Sequence, residues 1–203
     1  MRINNFKIWL ITIILAATAS MAWSQDNNPS SLKDAINTPV IKDNKHRNEI
    51  ANRQVSVATE LYQKNKLNVA MVRDDEVIVV SVPADMLFEP NSTNLKEDAD
   101  KILRQFKPFL NAPDYYRIAL AMHHDNTGSP QYCKELTEKR VKSVYDWFAI
   151  NSSTKYVSRF SMGSSEPILE NNSMQNRRLN RRLDIYIIPG QAMIELAKKG
   201  PLK

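Results

Sequence analysis

Cysteine is nearly absent from this 203-residue chain: Cys133 stands alone. A single thiol allows no disulfide within the chain. With none before position 133, the first part of the sequence offers no cysteine to carry a lipid. In an oxidising compartment Cys133 is then expected to be buried, or to pair with another chain. Glycine is scarce at four residues and proline modest at ten, which excludes a collagen-like or low-complexity polypeptide. There are only three histidines: His46 far upstream and the neighbours His123 and His124. Zinc needs three or four convergent ligands, so His123, His124 and Asp125 do not suffice and no metal or other cofactor is expected. Cys133 with His124 could suggest a nucleophile and base, but no third residue is in view to orient them, and no enzyme is predicted. The net charge of +6 is too mild to argue for nucleic acid, and the basic string "NRRLNRR" (176–182) is better explained by chemistry at a pocket and a sheet edge. After residue 24 no run is apolar enough to cross a membrane.

What is present is ordinary for a globular protein: 42% hydrophobic and 25% charged residues, enough for one core of normal size. The first 24 residues read as a cleaved secretory signal. Arg2 and Lys7 give a positive start, "IWLITIILAA" (8–17) an apolar run, and Ala22 and Ser24 the small residues a signal peptidase needs. Cleavage would lower the net charge to +4. No transmembrane segment is then expected in the mature protein.

Residues 25–66 read as a polar tether followed by a short helix, which starts near Asn48 and carries Ile50, Val57, Ala58 and Leu61 on one side. Residues 67–189 carry the pattern of a domain. "LNVAMVRDDEVIVVSV" (67–82) predicts a hairpin turning at Asp74 and Asp75. Residues 91–110 predict a helix with Leu95, Ala99, Ile102, Leu103, Phe106 and Leu110 as its stripe. Tyr116–His124 reads as a doubly covered strand, 133–148 as a helix, 156–162 as a strand, 164–180 as a loop with a helical turn, and 181–189 as a last strand. A C-terminal tail, 190–203, holds one more helical turn. This order predicts an α/β (α+β) sandwich: a mixed β-sheet covered on one face by helices, preceded by a short N-terminal helix and hairpin.

The helix over 133–148 places a charge on its apolar side. Leu136, Val144, Trp147 and Phe148 share an arc of about 120°, Cys133 lies two turns back on it, and Arg140 falls inside it. A buried guanidinium needs a partner. The nearest candidate is Asp125, brought back beside the helix by the turn-forming string "DNTGS". Two readings stay open: a structural ion pair, or a split pair that grips a zwitterion, with Asp125 taking an ammonium and Arg140 a carboxylate.

At this point the residues resemble a known family. "DNTGSPQYCKELTEKRVKSV" (125–144), "SMGSSEP" (161–167), "NSMQNRRLNRRLDI" (172–185) and "LFEPNSTNL" (87–95) are similar, in order and spacing, to the motifs of the OmpA-like peptidoglycan-binding domain. The resemblance covers about 77–188. It implies that Asp125 and Arg140 hold the diaminopimelate side chain of the cell-wall peptide, with Arg181 lining the same pocket and Asn180 beside it. It also implies that the residues at positions 124 and 133 help to place the ligand. Here the sequence departs from the family: His124 stands where the family has threonine, Cys133 where it has asparagine, Met122 and Asn176 where it has glycines. Residues 25–66 cannot supply the strands of an outer-membrane barrel. The expectation is a periplasmic protein, soluble there or associated with the outer membrane, that binds peptidoglycan and anchors an envelope component to the wall. The alternative is a docking or assembly subunit of an envelope machine, such as a secretion system or motor, with weak or lost wall affinity.

Overall fold

The computed structural model describes residues 29–65 and 67–202; the predicted signal segment lies outside them. In chain order the elements are α1 (Leu32–Asn37), α2 (Asn44–Asn65), β1 (Asn68–Val72), β2 (Val77–Pro83), α3 (Ala99–Leu103), α4 (Lys107–Leu110), β3 (Tyr116–His123), α5 (Pro130–Asn151), β4 (Val157–Gly163), α6 (Met174–Asn180), β5 (Arg182–Pro189) and α7 (Gln191–Lys199). One five-stranded mixed sheet runs in the order β1-β2-β5-β3-β4. The β3–β4 pair is parallel and every other pair is antiparallel. The α5 helix is the crossover between β3 and β4 and lies against both.

The alternation of side chains decides what each face of the sheet buries. Ile78, Val80 and Val82 of β2, Ile118, Leu120 and Met122 of β3, and Leu183, Ile185 and Ile187 of β5 point to one side. There they meet Leu103, Phe106, Val144 and Phe148 from α3, the turn after it and α5, and Ile50, Leu61 and Met193 from α2 and α7. On the other face Val77, Ala119, Ala121 and Ile188 are covered by Leu32 and Ala35 of α1. The helix-covered mixed sheet predicted from the sequence is therefore present.

Two segments differ from expectation. Residues 30–43, expected within an unstructured tether, begin with a helix. Ser31 caps α1 by accepting from the Asp34 amide. The Arg73 guanidinium donates to the Ile36 carbonyl, and Arg117 to that of Thr38. Two buried side chains, Leu32 and Ala35, and two charged donors outweigh the polar composition that suggested disorder. The helix expected from Asn91 begins only at Ala99. Asn91 sits at φ 56°, and a bridge from Phe88 to Leu95 folds the preceding residues into a loop. That loop turns out to be one wall of the site.

Candidate functional site

The end of β3 brings His124 and Asp125 to the rim of the sheet. An irregularity in the β3–β4 pairing after Met122 lets the His124 amide donate to the Gly163 carbonyl at 2.6 Å. Gly163 adopts φ +55°, a left-handed conformation that favours glycine at this junction. The chain then turns at Asp125, whose Oδ1 accepts from the Thr127 amide at 2.8 Å, an Asx turn. Ser129 caps α5 by accepting from the Tyr132 amide, with Pro130 at its first position. The turn chemistry read from "DNTGSP" thus returns the chain as a helix beside the strand it left.

A cavity opens at this corner. His124, Asp125 and Thr127 form one side, Arg140 and Arg181 another, and the loop from Ala84 to Asn91, with Asp85, Phe88, Glu89 and Pro90, the third. Of the residues singled out in the sequence, Asp125, Arg140, Arg181 and His124 line it. Asn180 and Cys133 do not. Asn180 is fully buried and fastens the preceding loop: its Oδ1 accepts from the Ile168 and Leu169 amides, and its Nδ2 donates to Leu169 O and Asn171 Oδ1. Cys133 is buried beneath the turn, with Sγ 3.4 Å from Thr127 O and 3.6 Å from Asp125 O. Burial pushes its thiol pKa up, so it is no thiolate. Both residues support the site from behind.

Arg140 is buried to 4% exposure, as its place in the apolar arc required, but its partner is not Asp125. Its Nε donates to Ser92 O at 2.8 Å and an Nη to Glu89 O at 3.2 Å, and the guanidinium lies 5.0 Å from the centre of the Phe88 ring. Burial draws its pKa below the usual arginine value. Two carbonyl oxygens and an aromatic face solvate the cation while leaving its formal charge uncompensated. The sequence missed this because backbone carbonyls leave no signature in side-chain identity.

Asp125 pairs instead with Arg181, whose Nη1 donates to Oδ2. Burial raises the Asp125 carboxyl, but the hydrogen bonds from Thr127 and Arg181 outweigh it, and the pKa lies below the usual value. The carboxylate is fully buried, whereas the Arg181 side chain is about a third exposed. The residues that sequence reasoning passed over are Phe88, Asp85 and Glu89. The only signal for Phe88 and Glu89 was the likeness of "LFEPNSTNL" to a family loop; Asp85, two residues before it, had none. Among the described residues no group of three or more histidines, cysteines or acids converges as a metal site would require.

Comparison with known proteins places relatives of this chain by sequence and by fold. Residues 87–181 match the model of the OmpA family. The outer-membrane lipoprotein YfiB of Pseudomonas aeruginosa is 29% identical over 118 residues, 58% of this chain and 70% of that protein. Outer membrane porin F of the same organism is 24% identical over 111 residues, 54% of this chain but 32% of the porin. A solved MotB-like protein from Desulfovibrio vulgaris superposes with a TM-score of 0.61 at 21% identity, over 71% of this chain and 98% of that one. The cell wall anchor of the T6SS from Pseudomonas aeruginosa does so at 0.55 and 20%, over 68% and 97%. At these identities the structural likeness is one of fold.

Proposed function

The chain carries an OmpA family domain over residues 87–181, and from that premise we propose that it binds peptidoglycan non-covalently through the diaminopimelate of the stem peptide. In this role it anchors an envelope component to the cell wall from the periplasm, as a binding protein and not an enzyme. The observation that carries the reading is one cavity holding an ionised carboxylate, Asp125, near a buried guanidinium, Arg140, that pairs with no carboxylate among the described residues. A zwitterionic side chain complements that arrangement: its ammonium to Asp125, its carboxylate to Arg140, with Arg181, once displaced from Asp125, able to join Arg140 on the carboxylate. A solved relative by fold is named as the cell wall anchor of a secretion system.

One observation favours the second reading, a docking subunit of an envelope machine with little wall affinity. Both Asp125 oxygens are already engaged, by Thr127 and Arg181, and the carboxylate is fully buried. A ligand ammonium has to displace Arg181 before it meets Asp125.

Co-sedimentation with purified sacculi tests the proposal. The parent protein should pellet with the wall, and Asp125→Asn should weaken binding at least tenfold. The amide keeps an oxygen for the Thr127 amide and strands only Arg181, which reaches water, so the loss of stability should stay near 1 kcal/mol. A parent that stays in the supernatant while co-purifying with membrane complexes would favour docking.

A further inference from the structure

The His124 ring lies beside Asp125 in the cavity, and its tautomer follows from its neighbours. Nδ1 is 3.0 Å from the Asp125 carbonyl oxygen and 3.3 Å from Asp125 Oδ1. Both are acceptors, so in the neutral ring Nδ1 carries the proton and Nε2 the lone pair. The ring is held in place: it is 8% exposed, packs edge-on to Tyr132 at 6.3 Å between centroids, and is anchored through its amide to Gly163. We propose that Nε2 of neutral His124 is a second acceptor for the ammonium of the ligand, beside Asp125, so that the pocket admits that cationic end only while His124 is uncharged.

The charges around the ring set the sign. On its own strand end lies Asp125, ionised and holding Arg181, which precedes β5. From α5 come Tyr132 and, across the cavity, Arg140; from the 84–91 loop come Asp85 and Glu89; β4 contributes the Gly163 carbonyl, which accepts from the His124 amide. Asp85 is matched by Arg178 and Glu89 by Lys96. Protonation of His124 removes the Nε2 acceptor, puts a positive charge where the ligand brings one, and strengthens the ring's own hold on Asp125. All three effects weaken capture of an ammonium. Proton uptake by His124 and ligand binding therefore exclude one another, and by linkage the ligand must make His124 harder to protonate.

The inference rests on the proposed function, and its test separates the two. Binding of a diaminopimelate-containing tetrapeptide to the mature chain is measured by calorimetry from pH 7.5 to 5.5, the range in which histidine side chains take up a proton. For the parent, Kd should rise on the order of tenfold across that range. His124→Gln, which offers an amide acceptor and cannot titrate, should show a flat profile, whatever its affinity at pH 7.5. His124→Phe should bind about tenfold more weakly at pH 7.5, again with a flat profile. The NMR titration of His124 in the parent should move to lower pH when the peptide is saturating. A parent that binds with the same Kd at both pH values, or a pH dependence that survives in His124→Gln and so belongs to His123 or His46, overturns the role of His124 and leaves the binding function standing. A parent that binds the tetrapeptide at no pH removes both.

Discussion

At the scale of single residues, charges that share a cavity have separate jobs. Arg140 was legible as a buried charge because it interrupts an apolar arc, and its burial is what the arc required. Its partners were not legible, since they are the carbonyls of Ser92 and Glu89. This division makes a prediction about the ligand. If Arg140 awaits a carboxylate, amidating the carboxylate of the diaminopimelate side chain should weaken binding about tenfold, because a charge-assisted hydrogen bond contributes roughly 1.5–3 kcal/mol. Equal affinity for amidated and free stem peptides, measured side by side, would remove Arg140 from the binding site. On the opposite face of the sheet, Asp184 has a structural task. Its Oδ1 accepts from half-buried Ser81 at 2.6 Å, its Oδ2 from Arg182 at 2.9 Å, and His123 Nε2 lies 3.3 Å away, with the Asp184, Arg182 and His123 side chains nearly inaccessible to water. Burial raises the Asp184 carboxyl, but His123, Arg182 and Ser81 together hold it below the usual carboxylate range. A depressed folded-state pKa means that the stabilisation is complete above the unfolded value near 3.8 and lost as pH falls through the folded value. Asp184→Asn should therefore cost about 3–5 kcal/mol at pH 7, by leaving Arg182 buried without a carboxylate. The gap between variant and parent should close in urea melts below about pH 4. A gap that persists at pH 2 would show that packing, and not charge, holds this cluster.

At the scale of elements, legibility follows the source of the pattern. The strands and α5 were visible because each buries a periodic face: β2, β3 and β5 alternate across two packed layers, and α5 keeps Cys133, Leu136, Val144 and Phe148 on one stripe. The helix expected from Asn91 was placed too early because the stripe from Leu95 to Leu110 is continuous in sequence while the backbone is not. Leu95 reaches the core from a bridge with Phe88, not from a helix. The β1–β2 turn was placed correctly at Asp74 and Asp75, but its strain was not foreseen. Arg73, Asp74 and Asp75 all adopt positive φ, between 50° and 63°, in a turn without glycine. Glu76 compensates: it is buried and pairs with Arg73 Nε at 2.6 Å and with Arg47 Nε at 2.8 Å from α2. Asp75 is exposed and takes no part in that network, so Asp75→Gly should relieve left-handed strain with little loss. The expected gain is about 0.5–1 kcal/mol, a rise in Tm of roughly 1–4 °C by calorimetry. A lower Tm would mean that the turn is held by Asp75 contacts other than the Glu76 network.

At the scale of the whole molecule, the site and the Ile36–Thr38 end of the N-terminal strap lie at opposite ends of β3, and α1 covers the sheet face between them. The strap, residues 30–43, lies where β3 begins: Arg117 donates to Thr38 O, and Arg73 in the β1–β2 turn donates to Ile36 O. The cavity lies where β3 ends, at His124 and Asp125. Eight residues separate Arg117 from Asp125, about 26 Å of extended strand. The contacts of the strap with Arg73 and Arg117 thus lie remote from the pocket, as the proposed separation of attachment from grip requires. Because the two ends share the rigid sheet but no side chains, they should act independently. A chain lacking residues 30–43 loses the buried side chains of Leu32 and Ala35 and uncovers Val77, Ala119, Ala121 and Ile188. It also leaves Arg117 and part of Arg73 without their carbonyl acceptors. Burial of one leucine contributes about 1.5–3 kcal/mol, and with the smaller alanine and the lost hydrogen bonds the truncation should cost roughly 3–5 kcal/mol. Tm should fall by about 6–20 °C. Below that temperature the affinity for the stem peptide should stay within twofold of the parent, since no group that lines the cavity touches the strap. If truncation instead changes affinity tenfold or more while the remaining domain stays folded by circular dichroism, the strap and the pocket are coupled through the sheet, and the separation of attachment from grip is wrong.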